Sequence, residues 1–191
     1  MPVDTTTLLV AVLGVAGTLS SPVLGQRIAS RARQQEFDLE SQQRREEREA
    51  AQRQAAFEER RAMYAALNTA ARQYQQELTA YLRAISSNSV TDESRTDLTK
   101  SREGFRELYS DAQMILPDRV LEQATSVSAS LGEAYGMVKR LEAGNPRAKS
   151  ALGSAETIEM AREHIRVTVY NLIIQLRQFM RSDLGVSDRK T

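Results

Sequence analysis

The chain has 191 residues, 26 of them basic, 25 acidic, one histidine and none cysteine. A net charge of +1 makes no case for nucleic-acid binding by the chain as a whole. The absence of cysteine excludes disulfides and thiolate chemistry. Glycine and proline are scarce, and Ala, Glu, Gln, Arg and Leu dominate, which predicts an all-α chain.

Residues 5–26 carry no charge. Leu8, Leu9, Val10, Val12, Leu13, Val15, Leu19, Val23 and Leu24 supply apolar surface. As a helix these residues would rise roughly 33 Å, enough to cross a hydrocarbon core of about 30 Å. Pro22 lies near the end of the run, where a bend is tolerated. A cleaved signal peptide would start with basic residues, whereas this chain starts Met1-Pro2-Val3-Asp4. The arginines, Arg27, Arg31 and Arg33, come after the apolar run instead. The positive-inside rule then puts the N-terminus outside the cell membrane and the rest in the cytoplasm, as a single-pass protein. The same three arginines flank the bilayer and suit anionic headgroups. Gly14, Gly17 and Ser21, with Val10, form a small-residue stripe suited to packing one membrane helix on another.

From Arg27 to Ser86 there is neither glycine nor proline. Residues 27–56 read as a charged helical stalk with four-apart pairs such as Glu40/Arg44, Arg45/Glu49 and Glu49/Arg53. At Phe57 the pattern changes. Phe57, Tyr64, Leu67, Ala71, Tyr74, Leu78, Tyr81 and Ile85 keep to one core-facing seam. Carried back into the stalk, that seam meets Arg53 and Glu46, so a continuous coiled coil is not expected.

Ser86-Ser87-Asn88-Ser89 reads as a loop, and Asp92 and Glu93 as acids at the start of a second helix. Its core face is Leu98, Phe105, Leu108, Ala112 and Ile115. Pro117 predicts a stop, because proline disfavours helical geometry in the residue before it, followed by a short reversal. A third helix buries Val120, Ala124, Val127, Leu131, Ala134, Val138 and Leu141, and Gly144-Asn145-Pro146 ends it. Ser154 is the expected cap of the last helix, with Glu156 in its first turn. That helix should bury Ile158, Ala161, Ile165, Val169, Leu172, Leu176 and Phe179, widened by Ile173 and Met180. No run alternates as a strand would. Residues 57–185 are thus expected to form an antiparallel four-helix bundle, and 186–191 a flexible tail.

No residue set carries chemistry. His164, the only histidine, lies off the apolar stripe, where a solvent-exposed or rim position is expected. The residue three before it is Ala161, so the Glu-x-x-His pattern of a di-iron bundle is missing. Glu159 and Glu163 sit four apart, as surface acids often do. There is no phosphate loop and no nucleophile–base pair, so no catalytic, cofactor-binding or metal residue is expected. The six tyrosines lie mostly on or beside the seams and read as core rings with hydroxyls at the rim.

The run Leu-Leu-Val-Ala-Val-Leu-Gly-Val-Ala-Gly-Thr-Leu at 8–19 is followed by Gln-Arg-Ile-Ala-Ser-Arg-Ala-Arg at 26–33. Further on come Phe-Glu-Glu-Arg-Arg-Ala-Met-Tyr-Ala-Ala-Leu-Asn at 57–68 and Phe-Met-Arg-Ser-Asp-Leu-Gly at 179–185. With these the chain resembles small actinobacterial membrane-anchored helical proteins without assigned function, some of them beside plasmid-transfer (Kil-type) genes. The resemblance implies no active site. The expected function is a membrane-tethered, non-enzymatic interaction or scaffold module at the cytoplasmic face. The alternative is a mobile-element membrane protein that assists conjugative transfer or perturbs the host membrane. Expected partners are the lipid bilayer, a protein, and a second copy through anchor or stalk; nucleic acid is not expected.

Overall fold

The structure is a computed structural model. It describes the backbone of residues 5–147 and 156–186, and side chains over that range from residue 37 on, Asp38 excepted. The membrane-span expectation for 5–26 depends on side chains outside the described residues. So do the flanking Arg27, Arg31 and Arg33 and the packing face Gly14, Gly17 and Ser21. Ser154 and the tail beyond Val186 are outside them as well. Among the described residues, no helix is long and apolar enough to cross a membrane.

The described residues are helical, without strands. Helix α1 spans Thr5–Ser86, α2 Asp92–Ile115 and α3 Asp118–Glu142. The last helix is three contiguous segments: α4 (Ile158–Glu163), a π-helical stretch (His164–Val169) and α5 (Tyr170–Asp183). Contacts divide the chain into two units, Met1–Ala55 and Ala56–Thr191.

In the first unit, every residue from Gln42 to Ala55 is exposed. A helix with no buried face depends on local terms, and here they are ion pairs along its surface. Arg44 pairs with Glu40, and Arg53 with Glu49 at 3.8 Å. Such exposed pairs contribute a few tenths of a kcal/mol each.

The second unit holds the core. Tyr64, Leu67, Ala71, Tyr74, Leu78 and Tyr81 of α1 are buried on the expected seam, and Leu82 joins them. Leu98, Phe105 and Ala112 are buried from α2, and Val120, Ala124, Val127, Leu131, Ala134 and Val138 from α3. Side-chain contacts give the helix order and direction. Tyr74 meets Phe105 with ring centroids 5.9 Å apart, joining α1 to α2. Tyr109 bonds Thr125 and Arg95 bonds Glu142, joining α2 to α3 in antiparallel sense. Gln123 of α3 reaches the Leu172 carbonyl, while Ser130 reaches His164. Tyr64 of α1 donates to Asp183 and Gln75 to the Ile165 carbonyl, closing the ring. The result is an up-down-up-down bundle of four helices.

The connections follow from local chemistry. Thr91 caps α2 in a capping box with Ser94, each side chain taking the other's backbone N–H. Leu116 is extended before Pro117 (ψ 138°), and α3 starts at once. Gly144 ends α3 at φ +66°, a left-handed geometry that costs glycine nothing. The last helix differs from expectation at its start. Its cap is Thr157, whose side chain accepts the Met160 N–H at 3.2 Å. Glu156 precedes the helix and instead grips Arg140 of α3 at 2.5 and 2.8 Å.

A larger difference lies in the register of the last helix. Ala161, Ile165, Val169, Ile173, Leu176 and Met180 are buried, whereas Leu172 is half-buried and Phe179 is 42% exposed. From Ala161 to Ile173 the buried positions advance by four three times in succession. A regular α-helix turns once per 3.6 residues, so such a run drifts off the core face. The π-helical stretch at His164–Val169 absorbs the extra residue and holds the stripe in place. After it, the core face moves from Leu172 and Phe179 to Ile173 and Met180.

Candidate functional site

Two adjoining depressions, of about 350 and 400 Å³, form one groove between α1 and the last helix. Gln75, Thr79, Arg83 and Tyr170 border both. The groove exists because the outer positions of the two helices carry polar residues above a packed seam. Asn68, Arg72, Gln75, Gln76, Thr79 and Arg83 recur at helical spacing along α1. Across from them stand Arg162, Arg166, Tyr170, Ile174 and Arg177. Buried Ile165, Ile173 and Leu82 contribute apolar floor.

Five guanidiniums line the groove and no carboxylate does. Arg162 pairs with Glu159 and Arg166 with Glu163, the latter at 2.8 Å. Arg72, Arg83 and Arg177 are exposed and form no ion pair among the described residues. The Gln75 amide donates to the Ile165 carbonyl at 3.1 Å, tying α1 to the π-helical stretch beneath the groove. Tyr170 is the first residue after that stretch and is 48% exposed. Arginine arrays of this kind recognise carboxylates and other oxyanions through paired N–H donors.

Other polar groups lie outside the groove lining. His164 is half-buried on the side of the last helix that faces α3, with Nε2 3.1 Å from Ser130 Oγ and 3.2 Å from Ser130 O. That is a rim position, away from the groove residues. Glu159 and Glu163 each pair with an arginine three residues on. No group of three potential metal ligands occurs among the described residues. Tyr64 donates to Asp183 at 2.7 Å, and burial followed by that carboxylate pushes its hydroxyl well above the usual range. Tyr74 and Tyr81 are buried with hydroxyls that make no well-formed hydrogen bond, although Tyr81 lies beside Glu142. At that end of the bundle Glu142 takes Arg95 at 2.9 Å and Lys139 as partners. Burial works against its charge, but Lys139, the neighbouring Tyr81 hydroxyl and Arg95 outweigh it and hold the carboxyl at about 2.

The polar groove residues carry no mark of a site in the sequence, because each lies on the polar face of a helix and looks like ordinary solvated surface. A signal was present: Arg162, Arg166 and Arg177 keep to one face, as do Arg72 and Arg83. Only the packing puts the two faces side by side.

Compared with known proteins, the chain matches no family model, no curated protein and no solved structure.

Proposed function

We propose that the protein is a non-enzymatic interaction module, tethered to the inner face of a membrane by residues 5–26, whose helical bundle takes a protein partner in the arginine-lined groove. The observation that carries this reading is the groove itself, with five arginines and no acid among its lining residues. Its polar groups are guanidiniums, amides and hydroxyls, which hold a ligand and do not exchange protons near neutral pH. The tether rests on the uncharged run at 5–26 and the arginines that follow it.

Two measurements test the two halves. The full chain should stay with the membrane pellet after alkaline carbonate washing, and release into the supernatant would remove the tether. A photo-crosslinking residue at Tyr170 should capture a discrete partner in cells, while the same residue at Glu103, exposed on α2, should not. Equal capture from both positions would mean that the groove is not the docking face.

A further inference from the structure

Building on the reading of the groove as a docking face, we propose that its occupant is an acidic, amphipathic helical segment of a partner protein. Its carboxylates would meet Arg72, Arg83 and Arg177, and its apolar side chains would meet Tyr170 and Ile174. The three guanidiniums lie along one groove, form no ion pair among the described residues, and have no carboxylate among the groove residues to neutralise them. A ligand of opposite sign is the complement.

Arg72 and Arg83 are separated by three helical turns on the same face of α1, about 17 Å along the axis. A lone phosphate or carboxylate cannot span that distance. A helix lying along α1 repeats its own face over the same three turns, so acids three turns apart on it fall into register with Arg72 and Arg83. Tyr170 is 48% exposed, and Ile174 and the buried Ile173 lie beside the arginines. A purely charged polymer would leave this surface unused, whereas an amphipathic helix covers it.

The test uses the full chain in neutral detergent and a fluorescent alanine–leucine peptide about four turns long. Its glutamates are spaced by three turns along one face. The wild-type protein should bind it with an affinity that falls as salt rises. Arg72→Glu combined with Arg83→Glu should weaken binding by about tenfold or more. Arg119→Glu, an exposed site at the start of α3 outside the groove, should leave it unchanged. A second peptide with lysine in place of glutamate should bind the doubly reversed protein better than the wild type does. That gain cannot come from misfolding.

Equal weakening by Arg119→Glu would overturn the proposal, as would failure of the lysine peptide to recover binding. So would wild-type protein that ignores the acidic peptide but binds anionic vesicles or RNA. A discrete crosslink from Tyr170 to a partner segment without acids would overturn this inference and leave the docking face standing. Loss of both peptide binding and site-specific crosslinking would remove both.

Discussion

Leu176 and Phe179 lie three residues apart in the last helix and have opposite environments. Leu176 has no exposed surface, and Phe179 is 42% exposed. Truncating a buried leucine loses transfer energy and leaves a cavity, so Leu176→Ala should cost about 2–5 kcal/mol in urea unfolding. Phe179→Ala should cost less than about 1 kcal/mol, because that ring already meets water. Reversed magnitudes would mean that the helix is rotated from the orientation described. A second residue-scale effect concerns pH. The Glu142 carboxyl titrates at about 2 in the folded chain, against an ordinary 4.5. Its depressed pKa adds stability that is present above about 4.5 and is lost as pH falls through the folded value near 2. The Glu142 side chain is 16% exposed, but its partners Arg95 and Lys139 are 48% and 39% exposed. Discounted for solvent around those partners, the contribution is about 1–2 kcal/mol. Stability measured from pH 5 down to pH 2 should therefore fall less steeply in Glu142→Gln than in the wild type. Parallel slopes would place the acid sensitivity elsewhere.

At the scale of an element, the last helix carries one residue more than a regular α-helix can keep in register. Deleting Thr168, an exposed residue inside the π-helical stretch, would leave the buried positions alternating by three and four along the helix. The shortened helix should then be regular throughout, and Ile173, Leu176 and Met180 should still meet the core. A deletion inside an ordinary helix rotates everything beyond it off the core face and abolishes folding. Here the deleted protein should still melt cooperatively, within about 2 kcal/mol of the wild type, because only local hydrogen bonds are rearranged. Loss of cooperative melting would show that the stretch is required for the fold. The Gln75 bond to the Ile165 carbonyl is the contact most exposed to that rearrangement.

For the whole molecule, the decisive feature is that the buried residues, among those described, belong to one of the two units. Among the described residues the whole core, from Tyr64 to Met180, lies in Ala56–Thr191. The exposed residues before Ala56 in the described part of the other unit add no core contact. A fragment starting at Ala56 should therefore be helical and unfold in a single transition with the stability that the full chain shows for its bundle. A fragment starting at Ala71 would lose Tyr64 and Leu67, with the Tyr64 bond to Asp183, and should unfold at markedly lower urea. Equal midpoints for the two fragments would move the edge of the core toward the C-terminus.

The sequence alone determined what depends on local periodicity and local sterics. The seams of α1, α2 and α3 were legible because a helix repeats its face every 3.6 residues whatever it packs against. The breaks at Ser87–Ser89, Pro117 and Gly144 were legible because their geometry is set by the residues themselves. The tertiary structure decided the register beyond Val169. An added residue in a helix can be absorbed in the backbone or can rotate everything after it, and only the opposing core chooses between them. It also decided where the groove lies. Arg72 and Arg83 are separated from Arg162, Arg166 and Arg177 by about 80 to 105 residues of chain. Side chains on solvated faces leave no periodic trace of which neighbouring face they will meet. That meeting is fixed by the apolar seams on the other side of each helix, which pack α1 against the last helix and bring the arginines into one groove.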